Sequence, residues 1–171
     1  MKTTNQRKGF TIIEVVLVLA IAGLIFLMVF IALPAMQRNQ RDTQRRNDYS
    51  MLSTAITNYS TNNGGKLSRL SDGDNCKGNL SASAYINKDG TTPDGDSYKL
   101  YACTWDQFES ANLNAADKLN KTDVYVVIGA DCDGANSSTG DAFPKENPSK
   151  RAFAVYGYVE SGNHAYCTAS Q

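Results

Sequence analysis

The 171 residues balance 17 basic side chains against 17 acidic ones, a length that suits one modest domain with an appendage. From Lys66 onward 10 basic residues face 14 acidic ones, a net charge of −4, which argues against the broad basic face of a nucleic-acid binder. A single histidine, His164, and four cysteines with no C-x-x-C spacing argue against a zinc site.

The chain opens on a short basic stretch with Lys2, Arg7 and Lys8 and no acid, which ends at Gly9. Phe10-Thr11-Ile12-Ile13-Glu14 follows, and then Val15–Met36, 22 residues without a charged side chain. At about 1.5 Å per residue that run spans the roughly 30 Å of bilayer hydrocarbon. No small-residue cleavage pattern of the ordinary secretory kind follows it. The physical oddity is Glu14, because an acid at the centre of a membrane helix costs roughly 2.5–3.5 kcal/mol on insertion scales and less near an end. Glu14 either reaches interfacial water or meets a cation in an assembled state.

The run Lys8-Gly9-Phe10-Thr11-Ile12-Ile13-Glu14-Val15-Val16-Leu17 resembles the precursor signature of the type IV pilin and pseudopilin family. The resemblance is close over residues 1–62 and general beyond. It implies that a membrane aspartyl peptidase, the prepilin peptidase, cuts between Gly9 and Phe10 and N-methylates Phe10. The new amine, titrating near about 7.7–8, would then pair with Glu14 of a neighbouring subunit and select one axial register. Glu14 and Pro34 are the expected assembly residues; Pro34 stands three residues later than in many family members, which moves the expected local unwinding along the helix. The implied partners are other pilin subunits in a homopolymer or mixed filament, the peptidase, membrane lipids and an assembly platform with its motor ATPase. No cofactor, no catalytic residue and no direct nucleic-acid binding are expected. The implied location is single-pass in the cytoplasmic (inner) membrane as precursor and on the cell surface as filament.

Gln37–Asp48 is polar on all sides, with Arg38–Asp42 and Arg45–Asp48 at helical pair spacing. An apolar stripe follows at Tyr49, Leu52, Ala55, Ile56 and Tyr59, and Asn63-Gly64-Gly65 stops it. A helix over Thr11–Asn62 would be about 78 Å long. The cluster Arg38, Arg41, Arg45 and Arg46 reads as a collar on lipid phosphates or a solvated helix face, with inter-subunit pairing as the other reading.

Beyond Gly65 the pattern predicts strands at Tyr98–Thr104, Val124–Gly129, Ala152–Val159 and Ala165–Thr168, the last two joined by a turn at 160–163. A short helix is expected over Gln107–Leu119. The fold class is α+β: a long N-terminal helix, its apolar half membrane-spanning, packed on a small antiparallel sheet. The organisation reads as leader 1–9, membrane or filament-core helix 10–36, amphipathic helix 37–63 and head 64–171. In an exported chain the four cysteines read as two disulfides. Of three connectivities, Cys76–Cys103 with Cys132–Cys167 closes the most compact stretches. Asp131, Asp133 and Asp141 are candidate oxygen ligands for calcium, but Gly129 stands where the loop pattern needs its first acid. Lys66 lacks the flanking residues of a phosphate loop, and His164 reads as a surface residue. Asn58, Asn79, Asn120 and Asn136 head N-x-S/T sequons. The reading is a structural filament subunit; a pseudopilin of a secretion or competence system, or an uncleaved anchored binding module, are the others.

Overall fold

The computed structural model describes residues 9–67, 70, 71, 76, 90–113, 118–134, 142–160 and 165–170. The chain divides into two compact units, Met1–Gln37 and Arg38–Gln171, and helix α1 (Ile12–Asn62) contributes to both. In the first unit the helix runs through Pro34 without a break. No unwinding is seen at Pro34, although proline there removes the ladder bond to the Phe30 carbonyl and crowds it.

In the second unit α1 ends as Asn63-Gly64-Gly65 predicts. Gly64 and Gly65 take φ of 66° and 80°, the left-handed region that only glycine enters without steric cost. The Gly65 N–H reaches back to the Ser60 carbonyl at 2.7 Å and the Gly64 N–H to Thr61 at 3.4 Å. This 6→1 and 5→2 pair satisfies the last carbonyls of the helix. On the exposed side, Thr54, Thr57 and Thr61 donate their hydroxyls to carbonyls four residues back, so a threonine-rich face remains compatible with helix.

The head is built on a four-stranded sheet of β1 (Lys99–Thr104), β2 (Asp123–Ile128), β5 (Phe153–Tyr158) and β6 (Ala165–Ala169), in the order β1-β2-β5-β6. All four strands lie where the apolar runs place them. The β2–β5 and β5–β6 pairs are antiparallel, but β1 and β2 are parallel, with Lys99 opposite Asp123 and Thr104 opposite Ile128. The sheet is therefore mixed rather than purely antiparallel, because an 18-residue crossover rather than a tight turn separates β1 from β2. Within that crossover α2 (Trp105–Ser110) is shorter than expected. Gln107 Oε1 accepts the Thr104 N–H at 3.0 Å at its start, and Asn112, at φ 53°, turns the chain out of helix at its end; residues 114–117 of the expected helix lie outside the described residues. A second small sheet, β3 (Ala130–Cys132) against β4 (Pro144–Glu146), carries no sequence pattern long enough to announce it. Disulfides join Cys76 to Cys103 and Cys132 to Cys167, the second tying β3 to β6.

Side chains alternate across the sheet with period two, and both faces are covered. Leu100, Ala102, Val124, Val126, Phe153 and Val155 face Tyr49, Leu52 and Ile56 of α1. Cys103, Tyr125, Val127, Ala154 and Tyr156 form a second core with Phe108 of α2. β2 is buried at every position, which is why Val124–Ile128 is a continuous apolar run rather than an alternation. Tyr49 is the tightest fit: it is fully buried, its hydroxyl donates to the Tyr158 carbonyl at 2.8 Å, and its ring stacks on Tyr166. A Cβ on Gly157 would lie 2.6 Å from the Tyr49 ring, so β5 needs glycine there for space.

Gly157→Ala is therefore expected to destabilise the head by roughly 1–3 kcal/mol through overpacking, and Gly134→Ala, where nothing stands within 4 Å, to have little effect; denaturant unfolding of the two variants checks this. Burial is the main force pushing the Tyr49, Tyr98 and Tyr125 phenols up, Tyr125 to about 12. The folded state keeps these protons after the unfolded chain, ionising near about 10, has released them. Stability is therefore full below pH about 10 and is lost as pH climbs from there toward about 12, a trend that thermal unfolding across that range measures.

Candidate functional site

The entry to α1 is organised by two residues. Thr11 flanks the first helical residue, Ile12, and Glu14 is the third residue of the helix. Glu14 turns back so that its Oε2 accepts the Thr11 backbone N–H at 2.9 Å and the Thr11 hydroxyl at 2.7 Å. The first N–H groups of any helix lack intrahelical partners, and a carboxylate at this position both satisfies one and sits at the positive end of the helix dipole. The spacing Thr11-x-x-Glu14 ahead of an apolar run is visible in the sequence as a capping pattern. Glu14 thus has a capping role beside the charge that marks it in the sequence.

Gly9 and Phe10 precede this cap in no regular structure, Phe10 at 91 % exposure. A Cβ on Gly9 would meet nothing within 4 Å, and its backbone is not left-handed. Every large apolar side chain from Phe10 to Met36 is exposed. The most apolar 18-residue window of α1 has a mean hydropathy of 3.2 and none of it is covered by the chain itself, so the helix is long and apolar enough to cross a membrane. Glu14 and Pro34 are not brought together; they stand 20 residues apart on one helix, about 30 Å by helical rise.

The arginine cluster has a different place from the one expected. Asp42, Arg45, Tyr49, Leu52 and Ile56 follow at intervals of three and four, so the charged residues continue the same helix face as the apolar stripe. Arg45 has no solvent exposure; its Nη1 donates to the Lys121 carbonyl at 2.6 Å and its Nη2 to Asp94 Oδ2 at 2.6 Å. Arg41 grips Glu160 with Nη2 to Oε2 at 2.7 Å and lies 3.4 Å from Asp94. The Glu160 hydrogen bond, foremost, holds the Arg41 guanidinium still more firmly protonated than usual. Asp42 accepts the Glu160 N–H at 2.6 Å and Asp48 the Tyr98 hydroxyl at 2.9 Å. Arg41 and Arg45 are thus neither a lipid collar nor a solvated face: their partners are in their own head. Arg46 packs on Tyr166, 5.1 Å from the ring centroid.

Of the calcium candidates, Asp131 spends Oδ1 on the Cys132 N–H at 2.8 Å, and Asp141 lies outside the described residues, as do His164, Asn79 and Asn136. Among the described residues no three acidic, histidine or cysteine side chains gather as a metal site.

Arg45→Ala deletes a fully buried side chain together with its bonds to Asp94 and the Lys121 carbonyl, while Arg41 still faces Asp94 and Glu160, and is expected to lower stability by roughly 2–5 kcal/mol. Arg38→Ala, at an exposed position, is expected to change it by about 0.5 kcal/mol or less. Calorimetric unfolding of the two variants compares them.

A family model for the prokaryotic N-terminal methylation motif matches residues 4–30. No curated protein and no solved structure matches the chain. The matched stretch holds Gly9, Phe10, the Thr11–Glu14 cap and the exposed apolar turns that follow, and in these residues the chain carries the class III signal peptide of type IV pilins and pseudopilins.

Proposed function

We propose that the chain is a structural subunit of a type IV pilus-like extracellular filament. It is made as a membrane-anchored precursor with residues 1–9 as leader, cut between Gly9 and Phe10, N-methylated on Phe10, and assembled with other pilin subunits through the first half of α1. The observation that carries this reading is the uncovered apolar surface from Phe10 to Met36 with one carboxylate at its start. Such a surface is stable only in lipid or against other apolar helices. The head, by contrast, has two apolar cores of its own, so the exposed helix is not needed to fold it.

Two features of the helix entry support the processing step. Among the described residues nothing crowds Gly9, which fits a demand for glycine set by the peptidase that handles the precursor. The cap leaves Glu14 already hydrogen-bonded to Thr11, four residues past the amine that cleavage creates. That amine is a cation in an apolar setting and requires a counter-charge. Glu14 of an adjacent subunit supplies it, with Thr11 holding the carboxylate in place.

Mass spectrometry of protein sheared from cells should find an amino terminus at Phe10 carrying one methyl group; a surface form that starts at Met1 would overturn the proposal. Gly9→Val is expected to leave uncut precursor in the membrane. Glu14→Gln separates the two roles of the glutamate, because glutamine at this position still caps the helix but carries no charge. Fibres seen by electron microscopy should disappear in Glu14→Gln although the protein still inserts; fibres like those of the parent would remove the charge pairing.

A further inference from the structure

β6 stands at the outside of the order β1-β2-β5-β6, so one of its edges faces no strand of that sheet. The Ser170 N–H donates to the Phe153 carbonyl at 2.9 Å, which fixes the alternation along β6. Tyr166, Thr168 and Ser170 turn their backbone groups toward β5, and Ala165, Cys167 and Ala169 turn theirs outward. The Ala165 carbonyl accepts the Ala142 N–H at 3.3 Å. Among the described residues nothing partners the outward N–H and C=O groups of Cys167 and Ala169. Cys167 is only 8 % exposed, and unpaired backbone groups on so covered a residue are uncommon in a native fold.

A groove of about 400 Å³ runs along this edge, between β6 and α1. Serine, threonine and asparagine side chains between Ser50 and Asn58 form the α1 wall, and Thr168, Ala169 and Ser170 form the other. None of these described lining residues is ionisable. Thr54 and Thr57 donate to the Ser50 and Ser53 carbonyls, which leaves their oxygens as acceptors in fixed positions. The charge beside the edge is Arg46, which packs on Tyr166 at 5.1 Å from the ring centroid.

Donors and acceptors on alternate residues of an edge are matched by another extended backbone. A second β6, set antiparallel with Cys167 opposite Ala169 and Ala169 opposite Cys167, engages every open group on both copies. Parallel pairing of the same two edges leaves some of them unmatched. Thr168 then meets its own copy at the two-fold axis, where side chains of a non-hydrogen-bonded pair lie closest. Tyr166 falls opposite Ser170, so the two Arg46 groups stand at opposite ends of the contact and do not repel. Hydroxyl and amide walls both donate and accept, which makes them complementary to themselves. Hydrogen bonds from two residues, each of modest net worth, do not offset the cost of immobilising a separate peptide. Repetition along a filament multiplies the same contact, which favours a second copy as occupant. The two-fold axis is perpendicular to the sheet and reverses the direction in which α1 crosses it, whereas the copies of one head-to-tail helical filament all point one way. We propose that β6 is an adhesive edge between filaments: heads of neighbouring filaments pair β6 to β6 and draw the filaments into bundles. This rests on the filament reading above.

Fibres sheared from cells that express the full chain are expected to bundle, as seen by electron microscopy and by pelleting at low speed. Thr168→Lys sets like charges against each other at the two-fold axis. It is expected to cut the pelleted fraction about tenfold or more at low salt while single fibres persist. Thr168→Glu is expected to do the same, and mixing fibres of the two variants to restore bundling, because each charge then meets its opposite. Ala169→Pro removes one outward donor without touching the bonds to β5 and is expected to give single fibres. Three outcomes overturn the proposal and leave the filament reading standing: parent fibres that stay separate, bundling unchanged in Thr168→Lys, or a mixture of the two charge variants that bundles no better than either alone. Absence of any fibre from the parent chain overturns both. The charge variants decide the matter even if Ala169→Pro does not fold.

Discussion

Arg45 carries a full charge with no solvent contact, and a guanidinium in that position is tolerated only where carbonyl and carboxylate oxygens replace its water. The Lys121 carbonyl and Asp94 do so directly, with Glu160 3.6 Å away. These oxygens come from the chain just before β2, from the chain before β1 and from the chain just after β5, so one side chain sets the position of three segments against α1. Arg41 and Asp42 strengthen the same contact by holding the Glu160 side chain and its backbone N–H respectively. An apolar stripe alone would allow α1 to slide or rotate on the sheet with modest loss. Directional, charge-assisted bonds at one end of the stripe make such movement expensive.

Behind that contact the helix packs by size as much as by hydrophobicity. Tyr49 needs the missing side chain of Gly157, and its hydroxyl needs the Tyr158 carbonyl. These neighbouring residues of β5 thus provide the space and the acceptor. On the far face, Phe108 meets Tyr125 and Tyr156 edge-on, with ring centroids 6.0 Å and 5.6 Å away, the arrangement that the ring quadrupole favours. With both faces of the sheet covered, the head retains no large exposed apolar side chain among the described residues beyond Met51. Among the described residues the uncovered apolar surface is concentrated in residues 10–36, as a division between a folded head and a segment that needs lipid or other helices requires.

Glu14 shows how one residue serves two levels of organisation. Within its own chain it is a helix cap, partnered by Thr11 and stabilised by the helix dipole. In the proposed filament the same carboxylate would answer a cation from another subunit.

Features that depend on near neighbours are legible in the residues alone. The basic stretch, Gly9-Phe10 and Glu14 mark the helix entry; Val15–Met36 is a membrane-length apolar run; Asn63-Gly64-Gly65 closes α1; four apolar runs become β1, β2, β5 and β6. The capping spacing of Thr11 and Glu14 was equally legible, since it too is local. The destination of Arg41 and Arg45 is set by long-range packing, because Asp94 lies 49 residues from Arg45 and Glu160 lies 119 from Arg41. Long-range packing also decides the parallel pairing of β1 with β2, the small β3–β4 sheet and the open edge of β6. The physical reason is common to these: helix periodicity and turn chemistry are written in spacings of a few residues. Pairing a charge, choosing a strand neighbour or leaving an edge open depends on which distant segments the core brings together.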